Sequence, residues 1–282
     1  MGPRAQRLLA GLGGELGRAT VVGITGPPGA GKSTLVNALI LALRAGNRSV
    51  GVIAVDPSSP YSNGAILGDR IRMTAAADDD AVFVRSLAAQ GTLGGLTPAA
   101  VRIIDALDGA GFDTIILETV GTGQNEIDVA EIADVRIVVA APGLGDDIQA
   151  MKSGLLEIAD IVVVNKGDRP GAEATLQQLA GAVTLRVDDT AGGTPVLKTT
   201  ATTGVGVPAL VAAIDTIAHA RLAAPAIDRR RRRARYLIAR AAADLVAARI
   251  KANTQGLAAL CDDLLAGQTS AADAATLIIG RA

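Results

Sequence analysis

Aromatic side chains are almost missing from this 282-residue sequence, which has two tyrosines, two phenylalanines and no tryptophan. So sparse a set excludes the stacking platforms that hold single-stranded nucleic acid. There is one cysteine, Cys261, and one histidine, His219. An intramolecular disulfide is therefore impossible, and no thiolate or imidazole metal cluster can form within one chain. A reducing cytoplasmic location fits that cysteine usage. No apolar run approaches the ~20 residues of a membrane span. Glycines interrupt the apolar stretch of residues 1–18, which does not read as a signal peptide. Neither sign of charge dominates, with 27 Lys and Arg against 28 Asp and Glu and a formal net charge of −1. Present instead are 49% hydrophobic and only 20% charged residues, enough for a sizeable core and too apolar for disorder throughout. Any chemistry must come from oxygen ligands, backbone amides and a few charges.

From residue 20 to about 220, short apolar runs alternate with stretches of helical spacing. The strand candidates are Val21–Thr25, Val50–Val55, Val82–Val84, Ile115–Glu118, Val135–Ala140, Ile161–Asn165 and Val196–Thr199. Most are continuous Val, Ile, Leu and Ala runs, the pattern of strands buried on both faces of a parallel sheet. Ser33–Arg44, Pro98–Leu107, Asp146–Glu157 and Glu173–Leu179 supply the helices between them. The fold class predicted is α/β, a doubly wound, mostly parallel sheet with helices on both faces. Ligands of such sheets bind beyond the carboxyl ends of the strands. After Pro225 the composition turns to Ala, Arg and Leu, and Asp228–Lys251 contains no glycine or proline. One long helix is predicted there, with two shorter ones near Gly256–Leu265 and Ser270–Ile279. The predicted organisation is a short N-terminal extension at 1–19, an α/β domain at 20–224 and a C-terminal helical arm at 225–282. The run Arg229–Arg233 suggests nucleic acid, but a near-neutral chain favours a solvated face or a salt-bridged helix pair.

Gly26-Pro27-Pro28-Gly29-Ala30-Gly31-Lys32-Ser33-Thr34 follows the first strand and opens a helix, fitting G-x-x-x-x-G-K-[ST]. Its glycines let backbone N–H groups wrap a phosphate chain, and the helix N-terminus adds partial positive charge. Lys32 is placed to reach the β- and γ-phosphates, and Ser33 to ligate Mg²⁺. Asn165-Lys166-Gly167-Asp168 then puts N-K-x-D at the end of a buried strand. A carboxylate there accepts hydrogen bonds from the N1–H and exocyclic amine of guanine, a donor pair that adenine lacks. Lys166 would lie along the base, Asn165 would tie this loop to the phosphate loop, and Thr200-Ala201 could offer an amide to guanine O6. The expected ligands are GTP and GDP, not ATP.

Magnesium on a nucleotide needs acidic partners. Asp56, Asp69 and Glu118 stand at or beyond strand ends and are the candidates, with Ser33, for the metal shell. Glu118 begins Glu118-Thr119-Val120-Gly121, where ordinary GTPases carry Asp-x-x-Gly. Gln124 lies two places beyond the position of a water-orienting glutamine. Slow intrinsic hydrolysis, completed by a partner, is the expectation.

These residues resemble the GTPase chaperones of methylmalonyl-CoA mutase and related adenosylcobalamin-dependent acyl-CoA mutases, a family also labelled as arginine/ornithine transport kinases. The likeness is carried by Gly23 through Thr34, Asp56-Pro57-Ser58-Ser59-Pro60, Gly64 through Met73, Glu118 through Glu126, and Ala141 through Asp168. It implies a P-loop fold and a homodimer that docks on a mutase, gates cofactor loading and excludes damaged cobalamin. It also implies catalytic or switch roles for Lys32, Asp56, Asp69, Glu118 and Lys152, the last within a further switch at Asp146–Lys152. Family members usually carry a longer N-terminal helical extension than the two dozen residues preceding this phosphate loop, and the arm here is alanine-rich. Two other functions share the nucleotide machinery. A nickel metallochaperone would need a Cys/His site that only a dimer could assemble, and a kinase of a transport protein would need an acceptor base. His219, on a probable helix, reads as a surface or satisfied core residue. Cys261, beside Leu260 and Leu264, reads as a small buried hydrophobe.

Overall fold

The computed structural model describes residues 16–57, 79–89, 98–119, 125–144, 154–184, 193–223, 225–252 and 257–280, and the isolated residue 11; side chains at 56, 57, 88, 89, 125–127, 279 and 280 lie outside that description. Seven strands form one sheet: β1 (Thr20–Thr25), β2 (Val50–Pro57), β3 (Val82–Ala89), β4 (Thr114–Thr119), β5 (Val135–Ala140), β6 (Ile161–Val164) and β7 (Val196–Lys198). Their order is β3-β2-β4-β1-β5-β6-β7 and every pairing is parallel. The helices are α1 (Lys32–Ala45), α2 (Pro98–Gly109), α3 (Asn125–Ile132), α4 (Leu155–Ile158), α5 (Ala172–Thr184), α6 (Val207–Leu222), α7 (Ala226–Ala252), α8 (Ala258–Leu265) and α9 (Ala271–Gly280).

The continuous apolar strands have the physical cause that their composition implied: both faces are covered. Val22, Ile24, Ile137, Val139, Ile161 and Val163 pack with α1 and α6 on one face. The alternate residues Val138, Ala140, Val162 and Val164 pack with α4 and α5 on the other. β3 runs longer than the expected Val82–Val84 because it is an edge strand. Phe83 and Arg85 are exposed there, so its sequence lacks a buried run's uniformity.

Two buried aspartates stitch the sheet domain together. The Asp108 carboxylate, near the end of α2, accepts the backbone N–H groups of Gly17, Arg18 and Ala19 at 2.5, 3.0 and 2.9 Å. Asp134, with no exposed surface, accepts the Val21 N–H at 3.0 Å and hydrogen bonds from three arginines of the run Arg229–Arg233. Arg229 and Arg233 are buried and meet it at 3.3 and 3.2 Å, and Arg232 at 3.3 Å. The cluster holds more positive than negative charge. Burial pushes the Arg232 guanidinium below its ordinary value; Asp134 opposes this, and Arg233, Arg221 and Arg136 add to it. At Asp160, burial alone would raise the carboxyl, but hydrogen bonds and charge from Arg136, with the charge of Arg221, bring it below its ordinary value. Arg136 reaches it at 2.9 and 2.7 Å, and Arg221 at 2.8 and 2.5 Å.

The chain divides into compact units Met1–Arg233 and Ala234–Ala282. Within the second, α9 is capped by Ser270, whose hydroxyl accepts the Asp273 N–H at 3.1 Å and donates to the Asp273 carboxylate at 2.7 Å. Cys261 is exposed, which corrects the expectation of burial: α8 buries none of its side chains. His219 is exposed in the last turn of α6. Among the described residues no single helix is long and apolar enough to cross a membrane. The bent pair α6 and α7 passes by length and composition only, and α6 packs its Val207, Leu210, Ile214 and Ala218 in the core.

Candidate functional site

The carboxyl end of the central strand β1 leads into the loop Gly26–Gly31. Gly26 has φ 141°, and a Cβ on it would sit 2.1 Å from the Val139 carbonyl oxygen of the neighbouring strand. Gly31 has φ 87°, and its Cβ would lie 2.6 Å from Asn165 Nδ2. Only glycine permits both the left-handed backbone and these close approaches. α1 begins at once and carries no acidic residue of its own in the first turn, so its positive end faces the loop. Lys32 is buried, and its Nζ donates to Gly26 O at 2.7 Å and Pro27 O at 3.0 Å, spanning the concavity of its own loop.

Ser33 follows, and its hydroxyl donates to Glu118 Oε1 at 2.7 Å, a short charge-assisted bond. β4 delivers Glu118 to this point because it pairs with β1 in a register that sets Glu118 beside Ile24. One residue on, the Thr119 hydroxyl donates to Thr25 Oγ1 at 3.1 Å, locking the two strand ends. A hydroxyl and a carboxylate converging at a phosphate loop form an all-oxygen donor pair, which suits a hard cation such as Mg²⁺. Asp56 lies at the carboxyl end of β2, two residues beyond the Ala54–Glu118 pairing, so its backbone reaches the same edge of the sheet. Its side chain lies outside the described residues, as do Asp69, Gln124 and the whole Asp146–Lys152 segment with Lys152.

Asn165 is the keystone on the other side. It follows β6, is 2% exposed, and its Nδ2 donates to Ala30 O at 3.1 Å and Gly31 O at 3.2 Å. Its Oδ1 accepts the Thr199 hydroxyl at 3.2 Å and the Ala201 N–H at 3.1 Å. Lys166 adopts φ 56°, rare for a residue with a side chain, and its Nζ donates to Gly29 O at 2.6 Å. Asp168 is exposed in the turn that follows. Thr200 and Ala201 lie in the loop that follows β7. The Thr200 N–H donates to Val205 O at 2.9 Å and that of Ala201 to Asn165, so both amides brace the loop and are already engaged. Thr199, unnoticed as a site residue, orients Asn165; its only signal in the sequence is a hydroxyl at the end of the last strand. The Gly26–Gly31 loop, the Ser33–Glu118 pair and the N-K-x-D turn thus share one edge of the sheet, and Thr34 stands exposed beside them.

The profile of the family described as methylmalonyl Co-A mutase-associated GTPase MeaB matches residues 2–255. A Pyrococcus horikoshii protein provisionally named a GTPase is 52% identical over 197 residues, 69% of this chain and 62% of that protein. The mitochondrial methylmalonic aciduria type A homolog of Mus musculus is 42% identical over 147 residues, covering 52% of this chain and 35% of its own. The matched span is thus about three fifths of the archaeal relative's length and about one third of the mouse relative's. The crystal structure of a LAO/AO transport system kinase superposes with a TM-score of 0.74 at 24% identity, covering 98% of this chain and 85% of that one. That likeness is one of fold.

Proposed function

The chain belongs to the family of methylmalonyl-CoA mutase-associated GTPases, and from that premise we propose that it is a GTP-hydrolysing chaperone of an adenosylcobalamin-dependent acyl-CoA mutase. In this function it works in the cytoplasm as a homodimer and gates loading and protection of the mutase's cofactor. The observation that carries the nucleotide part is the Asn165 brace, which ties the N-K-x-D turn to the carbonyls of Ala30 and Gly31. Base reading and phosphate binding are thereby one rigid unit.

The residues divide the work. Amides of Gly29, Ala30, Gly31, Lys32 and Ser33 cradle the phosphates, and Lys32 exchanges the carbonyls of Gly26 and Pro27 for phosphate oxygens. Ser33 and Glu118, with Asp56 and Asp69, would hold Mg²⁺, which would supply neutralisation of the developing phosphate charge. Asp168 accepts from the guanine N1–H and exocyclic amine, with Lys166 alongside the base. Lys152, in the Asp146–Lys152 segment, reaches the nucleotide when the mutase is docked. The mutase assignment draws on the family description and on the name of the mouse relative.

Three measurements test this. Fluorescent guanine nucleotides should bind and adenine nucleotides should not. GTP turnover by the purified chain should be slow and rise on adding the mutase; many turnovers per second without it would refute the need for a partner. Pulldown of methylmalonyl-CoA mutase should differ between GDP and a non-hydrolysable GTP analogue, and negligible capture in both states would refute the chaperone function.

A further inference from the structure

Four consecutive carbonyls at the end of α3 each accept a hydrogen bond from an arginine. Arg232 Nε donates to Glu131 O at 3.1 Å, Arg233 Nε to Ile132 O at 3.2 Å, and Arg232 Nη2 to Ala133 O at 3.1 Å. Arg221 Nη1 donates to Asp134 O at 2.5 Å. Helix ends leave such carbonyls unsatisfied and carry partial negative charge, so cations belong here. The Asp134 carboxylate then gathers Arg229, Arg232 and Arg233 from the first turns of α7. The same residue holds β1 twice, since its N–H donates to Val21 O at 2.7 Å and its carboxylate accepts the Val21 N–H at 3.0 Å. Arg229 also reaches back to the carbonyls of Gly17 and Ala19.

One buried carboxylate therefore joins the start of the strand that becomes the phosphate loop, the end of α3 and the root of α7. α3 starts seven residues after Glu118 and lies directly on β1. A Cβ at Gly23 would fall 2.1 Å from Val129 Cγ1 and 2.9 Å from Ala133 Cβ. Val129 and Ala133 therefore seat directly on the strand, and contact this close passes a displacement of the helix to β1. α7 continues unbroken from this joint to Ala252.

We propose that Asp134 is a coupling residue, which passes nucleotide-dependent displacement of α3 and β1 into the C-terminal helix α7 through Arg229, Arg232 and Arg233. The coupling rests on the nucleotide cycle proposed above, not on the mutase, so the full chain alone suffices to test it. Hydrogen exchange of α7 amides is followed with GDP and with a non-hydrolysable GTP analogue in the wild type, Asp134→Asn and Arg232→Ala. Arg232→Ala is the milder variant, because its side chain is 35% exposed and it leaves Arg229 and Arg233 on the carboxylate. In the wild type, exchange should differ between the two states by about fivefold, the lower end of ordinary allosteric coupling. In both variants the difference should collapse while GDP affinity and the thermal midpoint of the Arg232→Ala protein stay near wild type. Retention of the wild-type difference in the variants would overturn the coupling. So would a wild type that binds both nucleotides with identical α7 exchange, or loss of nucleotide binding in both variants, which would make the joint a determinant of folding alone. A wild type that bound no guanine nucleotide would remove the GTPase function first, and the coupling with it.

Discussion

Asn165→Ala cuts the connection between base and phosphate sites in one step. Four hydrogen bonds disappear, two to the carbonyls of Ala30 and Gly31 and two from Thr199 and Ala201. At about 1 kcal/mol net for each, the loss approaches 4 kcal/mol. The Ala30 and Gly31 carbonyls border the loop and regain water, so the effective cost is about 2 to 3 kcal/mol; because binding must then re-order the unbraced loops, up to that cost is taken from GDP affinity, a weakening by about 30- to 150-fold. Thr199→Val refines the test, since it keeps the volume of a fully buried side chain and deletes only the hydroxyl that orients Asn165. It should weaken GDP by about fivefold, equivalent to about 1 kcal/mol. Competition against a fluorescent guanine nucleotide measures both, with thermal melting to verify folding. A folded Asn165→Ala protein that binds GDP within about twofold of wild type would refute the brace, because no single net hydrogen bond is worth so little.

The other expectations concern packing, charge and metal. Gly23→Ala should cost about 1–3 kcal/mol by overpacking, since its new methyl would overlap Val129; thermal denaturation measures this, and an unchanged midpoint would contradict the contact between α3 and β1. Asp160→Asn should destabilise by about 2–3 kcal/mol, less than a fully dry ion pair because Arg136 and Arg221 are partly solvated. The folded carboxyl lies below its unfolded value, so this stability is complete above the ordinary carboxylate range and is lost as pH falls through the folded pKa. Wild type and variant should accordingly converge in acid. Ser33→Ala removes a bond of about 1.5–3 kcal/mol from the nucleotide-free protein and takes one oxygen from the cation. EDTA should thus weaken GDP binding to wild type more than to the variant, as calorimetry would show, and an equal effect on both would refute Ser33 as a cation ligand.

The legible parts of the chain were those whose physics is local. Val135–Ala140 and Ile161–Val164 appear as strands in both sequence and structure because burial on two faces demands an uninterrupted apolar run. The phosphate loop was legible because its motif is contiguous: Lys32 meets Gly26 and Pro27 within six residues, although the close approaches that require Gly26 and Gly31 come from Val139 and Asn165. Thr199 was not, because its importance depends on the amide of Asn165, 34 positions away. Cys261 misled because helical spacing beside Leu260 and Leu264 marks an apolar side without saying what covers it. In the unit Ala234–Ala282, Leu264 and Leu265 are 42% and 86% exposed, and so small a unit cannot bury much of its own apolar surface.

The arginine run shows how burial decides between two meanings of the same residues. A row of five arginines opening a helix is ordinarily a solvated face or a phosphate contact, and neither leaves a guanidinium dry. Here Arg229 and Arg233 are 6% and 2% exposed, which is tolerable only with a carboxylate and carbonyl acceptors in place. Asp134 supplies the shared carboxylate, Asp105 lies 3.9 Å from Arg233, and the end of α3 supplies the carbonyls. Because the cations outnumber the acid, hydrophobic residues of similar volume could replace the cluster with little loss of stability. Stability alone therefore does not account for three arginines converging on one aspartate. The coupling proposed for Asp134 would, since several directional bonds can exchange partners where a packed apolar contact can only open.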